Sequence, residues 1–191
     1  MMMKRTVLSA LFAVASGLAF AAPQTYNVDP THTYAGYEIG HVGLSLQHGL
    51  FTQVGGTLTV DDAAHSGTVD VTIDAASLST DYAARDKHLK SDAFFNVAKY
   101  PTLTFKASQL KYDGDKLTDV AGTLTLLGVS KPLTLHVTHF AHAKNPMSGK
   151  DSYGVNAEGW IKRSDFGMTT YLPAIADDVK LQITLEAIAA N

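Results

Sequence analysis

Three groups of side chains carry residue types that chemistry needs. The first is Arg85-Asp86-x-His88 with Ser91 beyond it, which on paper holds an acid, a base and a nucleophile. On a helix, Arg85, His88 and Leu89 share a face by their i+3 and i+4 spacing, and Asp86 points elsewhere. The chain has no Gly-x-Ser-x-Gly elbow, and a hydrolytic triad is a matter of geometry rather than of neighbouring letters. The second group is His136, His139 and His142, spaced by three. In a regular strand only His136 and His142 face the same way, roughly 20 Å apart, too far for one metal shell. The third is Arg163-Ser164-Asp165, readable as a structural turn with a salt link. With no cysteine in the chain, thiol catalysis and cysteine-zinc sites are excluded. No catalytic residue and no metal site is expected. Arg85, His88 and Arg163 remain as contacts to a polar ligand head, or as ties along a rim.

The elements that would position these groups are strands. Eight segments alternate or nearly so: Thr33 to His41, Phe51 to Val60, Thr68 to Asp74, Thr102 to Tyr112, Lys116 to Leu127, Leu133 to Ala143, Ser152 to Ile161 and Asp178 to Ala187. The cleanest is Thr68 to Asp74, with Val69, Val71 and Ile73 on one side and Thr68, Asp70, Thr72 and Asp74 on the other. A period of two over that length predicts a half-buried strand. Val42 to Gly49 is looser. Gly55-Gly56 suggests a bulge or a close backbone approach, and Asp113-Gly114-Asp115 marks a hairpin. Short alternating strands with turns between them indicate a sandwich or a barrel, and periodicity does not choose between the two.

One stretch breaks the pattern. From Arg85 the chain is polar and helix-competent, turns aromatic at Phe94-Phe95, and must leave the helix by Tyr100 because Pro101 follows. A single helical insert laid against a sheet would act as a plug or lid. Beside one strand, Gly36, Gly40 and Gly43 leave space. Inward-facing Val71, Phe105, Leu124, Leu135 and Ile183 would suit either a filled core or a cavity lining, since small barrels do both.

The blocks R-D-x-H-L (Arg85 to Leu89), F-F-N-V-A-K-Y-P (Phe94 to Pro101) with the following T-x-T-F, G-T-L-T-L-L-G-V-S-K-P-L-T-L (Gly122 to Leu135), R-S-D-F-G-M (Arg163 to Met168) and D-V-x-L (Asp178 to Leu181) resemble the YceI-like periplasmic proteins. The resemblance runs in order through the chain. It implies an all-β fold with a helical insert, an eight-stranded antiparallel lipocalin-like β-barrel, that binds long isoprenoid or other amphiphilic lipids. Under it, the apolar side chains expected to line the channel are Tyr37, Ile39, Phe51, Leu58, Val71, Leu89, Phe94, Phe95, Phe105, Leu124, Leu126, Leu135, Phe166, Met168 and Ile183. Arg85, His88 and Arg163 would meet the head group or the rim. No cofactor is required; an isoprenoid or quinone-like lipid would be the ligand. A stress-protective or partner-binding module without lipid, and an enzyme acting on such lipids, are the other readings.

Residues 1–21 read as a cleavable signal peptide: Lys4 and Arg5, an apolar run from Val7 to Phe20, then Ala19-Phe20-Ala21. That apolar run is short for a membrane span. Export to the periplasm and one mature domain, residues 22–191, are therefore expected, with no stable membrane insertion. The net charge of −3, spread without a basic stripe, argues against nucleic acid as a partner. An open barrel mouth with exposed apolar residues would favour a homodimer.

Overall fold

The computed structural model describes residues 22–190; the signal-peptide reading of residues 1–21 lies outside them. Among the described residues eleven strands occur in order: β1 (Gln24–Val28), β2 (Tyr34–His41), β3 (Ser45–Phe51), β4 (Val54–Asp61), β5 (Ser66–Asp74) and β6 (Leu78–Ser79) precede their single α-helix, α1 (Ala83–Leu89). After it come β7 (Thr102–Asp113), β8 (Lys116–Leu126), β9 (Val129–Lys144), β10 (Asp151–Lys162) and β11 (Ile175–Ala189). All pairings are antiparallel, and β1 closes the ring on β11.

The ring has eight staves because three of them are broken: β1 and β2, β3 and β4, and β5 and the two-residue β6 each share one. β1 and β2 lie end to end along β11, which pairs through residues 187–189 with β1 and through 175–184 with β2. β4 pairs with β1 and β5, whereas β3 pairs with β2. The expected eight-stranded closed barrel is thus the architecture, and full closure removes most sheet edges. Pro30 cannot donate to a ladder, and the first break falls around it. There buried Thr33 stands in for backbone: its hydroxyl donates to the Glu186 carbonyl at 3.2 Å and accepts from the Glu186 amide at 3.1 Å.

Five local expectations are corrected. The loose stretch Val42 to Gly49 contains strand β3, reached through a tight turn at Val42 (φ 47°) and Gly43 (φ 71°). Gly43 therefore serves the turn, not a void. On β3 it is Gly49 that makes room, since a Cβ there would lie 2.5 Å from the Tyr37 ring. The helix is shorter than the insert. It ends at Leu89, and the Ser91 hydroxyl donates to the His88 carbonyl at 2.6 Å. Phe94 to Tyr100 continues as turns that swing both phenyl rings inward, with Asn96 at positive φ. β9 carries a bulge: Ala157 faces Val137 but Asn156 faces His139, leaving Thr138 extra. His136 and His142 consequently face opposite sides, not the same one. His136 pairs with exterior Asp119, and His142 stacks at 4.2 Å on buried Tyr153. Finally, Arg163 has no carboxylate within 4.0 Å among the described residues; Asp165 does not link to it.

The Gly55-Gly56 expectation is met. Gly56 has φ 146°, and a Cβ there would fall 2.1 Å from the Asp70 carbonyl, so β4 and β5 approach as only glycine permits.

Candidate ligand-binding cavity

Alternation along each stave sends one set of side chains into the barrel, and they do not fill it. Two apolar chambers remain, of about 120 and 270 Å³. The smaller, inner one is lined by Leu58, Val71, Phe105 and Leu135, all expected, together with Val54, Val120, Phe140 and Tyr153. The larger, outer one lies under the insert. Its walls include Tyr37, Ile39, Phe51, Leu89, Phe94, Phe95, Leu126 and Met168. Ala35, Ile73, Leu124 and Ile183 border both chambers and form the waist between them.

Among the expected lining residues Phe166 is the exception. It is buried at 3% exposure in the hydrophobic core and borders neither chamber. It belongs to a short 3₁₀ turn, Arg163–Phe166, which places Phe166 behind the wall that Met168 completes. Ile161, Val179 and Leu181 line the outer chamber without having been singled out. Their parity with Ile183 along β10 and β11 was the available signal.

The three polar candidates all border the outer chamber. Arg85 donates from Nε to the Thr80 hydroxyl, from Nη2 to the Thr80 carbonyl and from Nη1 to Gln47 Oε1, each at 2.8 Å. It ties α1 to the end of β6 and to β3. His88 is exposed at the mouth, edge-on to Phe94 at 5.1 Å, with Nε2 3.5 Å from the Tyr171 hydroxyl. Arg163 is 2% exposed. Its Nε donates to the Ala176 carbonyl, Nη1 to those of Met168 and Thr170, and Nη2 to that of Ile175, at 2.8 to 3.0 Å. Burial lowers its pKa, against an upward push from Asp177. A guanidinium spent on four carbonyls positions the 167–176 wall, so of the two roles expected for Arg163 the rim tie is the one the geometry serves. Burial likewise pushes the Tyr37 hydroxyl up to about 12, with Arg85 pulling against it.

Asp86, His88 and Ser91 are not assembled as a catalytic set. The Asp86 carboxylate accepts from the Thr80 amide at 2.8 Å and its hydroxyl at 2.5 Å, and the Ser91 hydroxyl is held by a backbone carbonyl. Among the described residues, Asp29, His32 and Glu186 alone bring three metal-capable side chains together. They lie at the break between β1 and β2, and Asp29 is already bonded. The Thr31 hydroxyl, the His32 ring and the Thr31 amide hold its carboxyl down to about 2.

The far end of the inner chamber is shut by an aromatic and ionic plug. Tyr26 meets Tyr153 edge to face at 4.8 Å, and Phe140 lies 5.9 Å from Tyr153. Tyr26 donates to Asp151 at 2.6 Å, Tyr153 donates to Asp62, and His142 reaches Asp151 at 2.8 Å and Asp62 at 3.7 Å. Burial pushes Asp151 upward, but hydrogen bonds from Tyr26 and His142 outweigh it and leave the carboxyl below its ordinary range. Burial, then the Asp62 carboxylate, raises the Tyr153 hydroxyl.

The chain matches known proteins along nearly its whole length. It is 40% identical over 190 residues to Protein YceI of Salmonella agona (strain SL483), covering 97% of this chain and 98% of that one. A crystal structure of the Campylobacter jejuni YCEI protein superposes with a TM-score of 0.67 at 36% identity, over 78% of this chain and 88% of that one. Two more distant structures share the fold. Burkholderia cenocepacia BcnA gives a TM-score of 0.72 at 24% identity, over 83% of this chain and 98% of that one. A polyisoprenoid binding domain from Saccharophagus degradans gives 0.65 at 20%, over 87% and 99%. The profile of the YceI-like domain matches residues 26–187, and this chain belongs to that family.

Proposed function

We propose that this protein is a non-catalytic carrier for a long, linear isoprenoid or quinone-type lipid, held tail-inward in the barrel and operating in the periplasm. One observation carries the reading: two apolar chambers in series, sharing a waist at Ala35, Ile73, Leu124 and Ile183, plugged at one end and bordered by polar groups at the other. A branched or compact ligand would use one chamber; a linear chain uses both. Burial of each CH₂ is worth about 0.8 kcal/mol, so a few isoprene units outweigh the contacts any head group makes. Arg85, His88 and Tyr171 would orient that head group at the mouth. Support for the ligand class comes from the Saccharophagus degradans relative, described as a polyisoprenoid binding domain. The leader-like residues 1–21 support the location. With Asp86 and Ser91 engaged elsewhere, the mouth offers no activated nucleophile.

The test is native mass spectrometry of the purified protein, followed by solvent extraction and identification of what is released. One lipid per chain with a polyprenyl tail is the expected result. An apo mass that stays unchanged after incubation with polyprenols and quinones would sink the proposal.

A further inference from the structure

Beside the outer chamber's mouth lie three apolar side chains that neither the barrel nor the carrier role uses. Leu44 is 87% exposed, Leu46 57% and Val42 47%, all at or beside the tip of the β2–β3 hairpin. This tip belongs to the mouth. The Val42 amide donates to the Ala174 carbonyl at 2.8 Å, His41 pairs with Ile175, and both His41 and Ile175 line the outer chamber. Tyr171, 58% exposed, borders the same chamber, and Tyr82, 63% exposed, lies within 5.9 Å of the guanidinium of Arg85, which borders it too.

The turn itself is unusual in its chemistry. The Leu44 amide donates to the His41 carbonyl at 2.9 Å across Val42 and Gly43, both at positive φ. Turns of that kind favour asparagine or aspartate at the first central position, and a β-branched residue there is strained. A polar residue would be easier to fold and easier to solvate, yet valine is present. No Asp, Glu, Lys or Arg occurs from Ile39 to Val60.

We infer that this protein docks on a lipid bilayer through the Val42, Leu44 and Leu46 tip, bringing the outer chamber's mouth against the membrane surface. Three apolar side chains form a spike far smaller than the roughly 1,200 Å² or more that a stable protein interface buries, whereas shallow insertion into a bilayer needs only a few such groups. Tyr82 and Tyr171 stand where tyrosines favour the headgroup layer. Lys87 and Lys90, neither with a carboxylate within 4.0 Å among the described residues, can extend their stems along apolar surface and keep their ammonium groups among phosphates. The inference rests on the carrier reading for its purpose: a lipid passing directly from bilayer to chamber never exposes its tail to water.

The experiment compares the purified chain with the Leu44→Asp, Leu46→Asp double variant and a milder Leu44→Ser, Leu46→Ser pair. Each is sedimented with vesicles of phosphatidylethanolamine and phosphatidylglycerol. Polyprenol loading from cyclodextrin, without vesicles, is measured separately, as are thermal midpoint and sedimentation velocity. The expected result is vesicle binding by the wild type and a loss of about tenfold or more in the aspartate variant, with a smaller loss for serine. Loading from cyclodextrin and the thermal midpoint stay unchanged. Equal sedimentation of all three proteins, or none by the wild type, overturns the inference. So does a dimer that the aspartates split while vesicle binding persists, which would assign the tip to a second copy of this chain. Failure of cyclodextrin loading in the wild type strikes the carrier reading instead, whatever the vesicles show.

Discussion

The two ends of the barrel use polar side chains for opposite purposes. At the plugged end Tyr26, Asp62, His142, Asp151 and Tyr153 join strands that already hydrogen-bond to one another in a continuous ladder. At the mouth, Arg85 and Arg163 replace a ladder that is missing. β3 has only the two-residue β6 along its outer edge, and residues 167–174 form no strand. One end is a lid fastened onto regular structure, and the other is built from irregular backbone whose carbonyls need side-chain donors. Unpaired backbone groups are costly when buried, so the mouth depends more on single residues than the plug does.

That contrast can be broken most sharply at Arg163. Arg163→Met removes the donors of four carbonyls and is expected to cost about 3 to 5 kcal/mol. Urea denaturation measures the loss, and hydrogen exchange should show it concentrated in residues 167–176. A next, smaller effect falls at the waist between the ends. Ala35→Phe overfills it, at about 2 kcal/mol in stability, and should confine ligands to the outer chamber. The lipid extracted from this variant should have a shorter chain than the wild type's; an unchanged lipid profile would show that the inner chamber takes no part.

At the plug, Tyr153→Phe keeps the ring stacking and loses only the bond to Asp62, an exposed carboxylate that water can resolvate. About 1 kcal/mol is expected by thermal denaturation; a loss as large as that of Arg163→Met would erase the proposed difference between the ends. The smallest effect is on acid stability. Because the Asp151 carboxyl is held below its ordinary range in the fold, its contribution is complete above its unfolded pKa near 3.9 and fades as pH falls through its lower folded value. Asp151→Asn should therefore be less stable than wild type at pH 6, with the gap closing in the acid limb of a pH titration.

The same contrast explains what could be read from residues alone. Val71, Phe105 and Leu135 were legible as inward-facing because parity along a regular strand is a property of the backbone, and the inner chamber follows from it. Arg163 was not legible in the same way. Its four acceptors are carbonyls, present at every position, so no letter marks them out. Phe166 and Met168 look equivalent in sequence, but a 3₁₀ turn separates their directions. β3 was hidden because its pattern is interrupted by Gly49, whose missing side chain serves Tyr37 on the neighbouring strand. The barrel, as against a sandwich, depended on the pairing of β1 with β11, a contact between the two ends of the domain that periodicity does not encode.

The bulge in β9 has a consequence for how such a chain can change by descent. Thr138 is one residue, and its loss from the gene would take three nucleotides. Deleting it would set Val137 and His139 side by side opposite Ala157 and Asn156, the partners they already have, so the ladder would become regular while Phe140 and His142 kept facing the plug. The register, not Thr138 itself, is what the far end of the barrel depends on: a slip of β9 by one residue past Val137 would turn Phe140 and His142 toward water and dismantle the plug without any of its own residues being altered. In descendants of this chain the extra residue can therefore be lost more readily than the pairing on either side of it can shift.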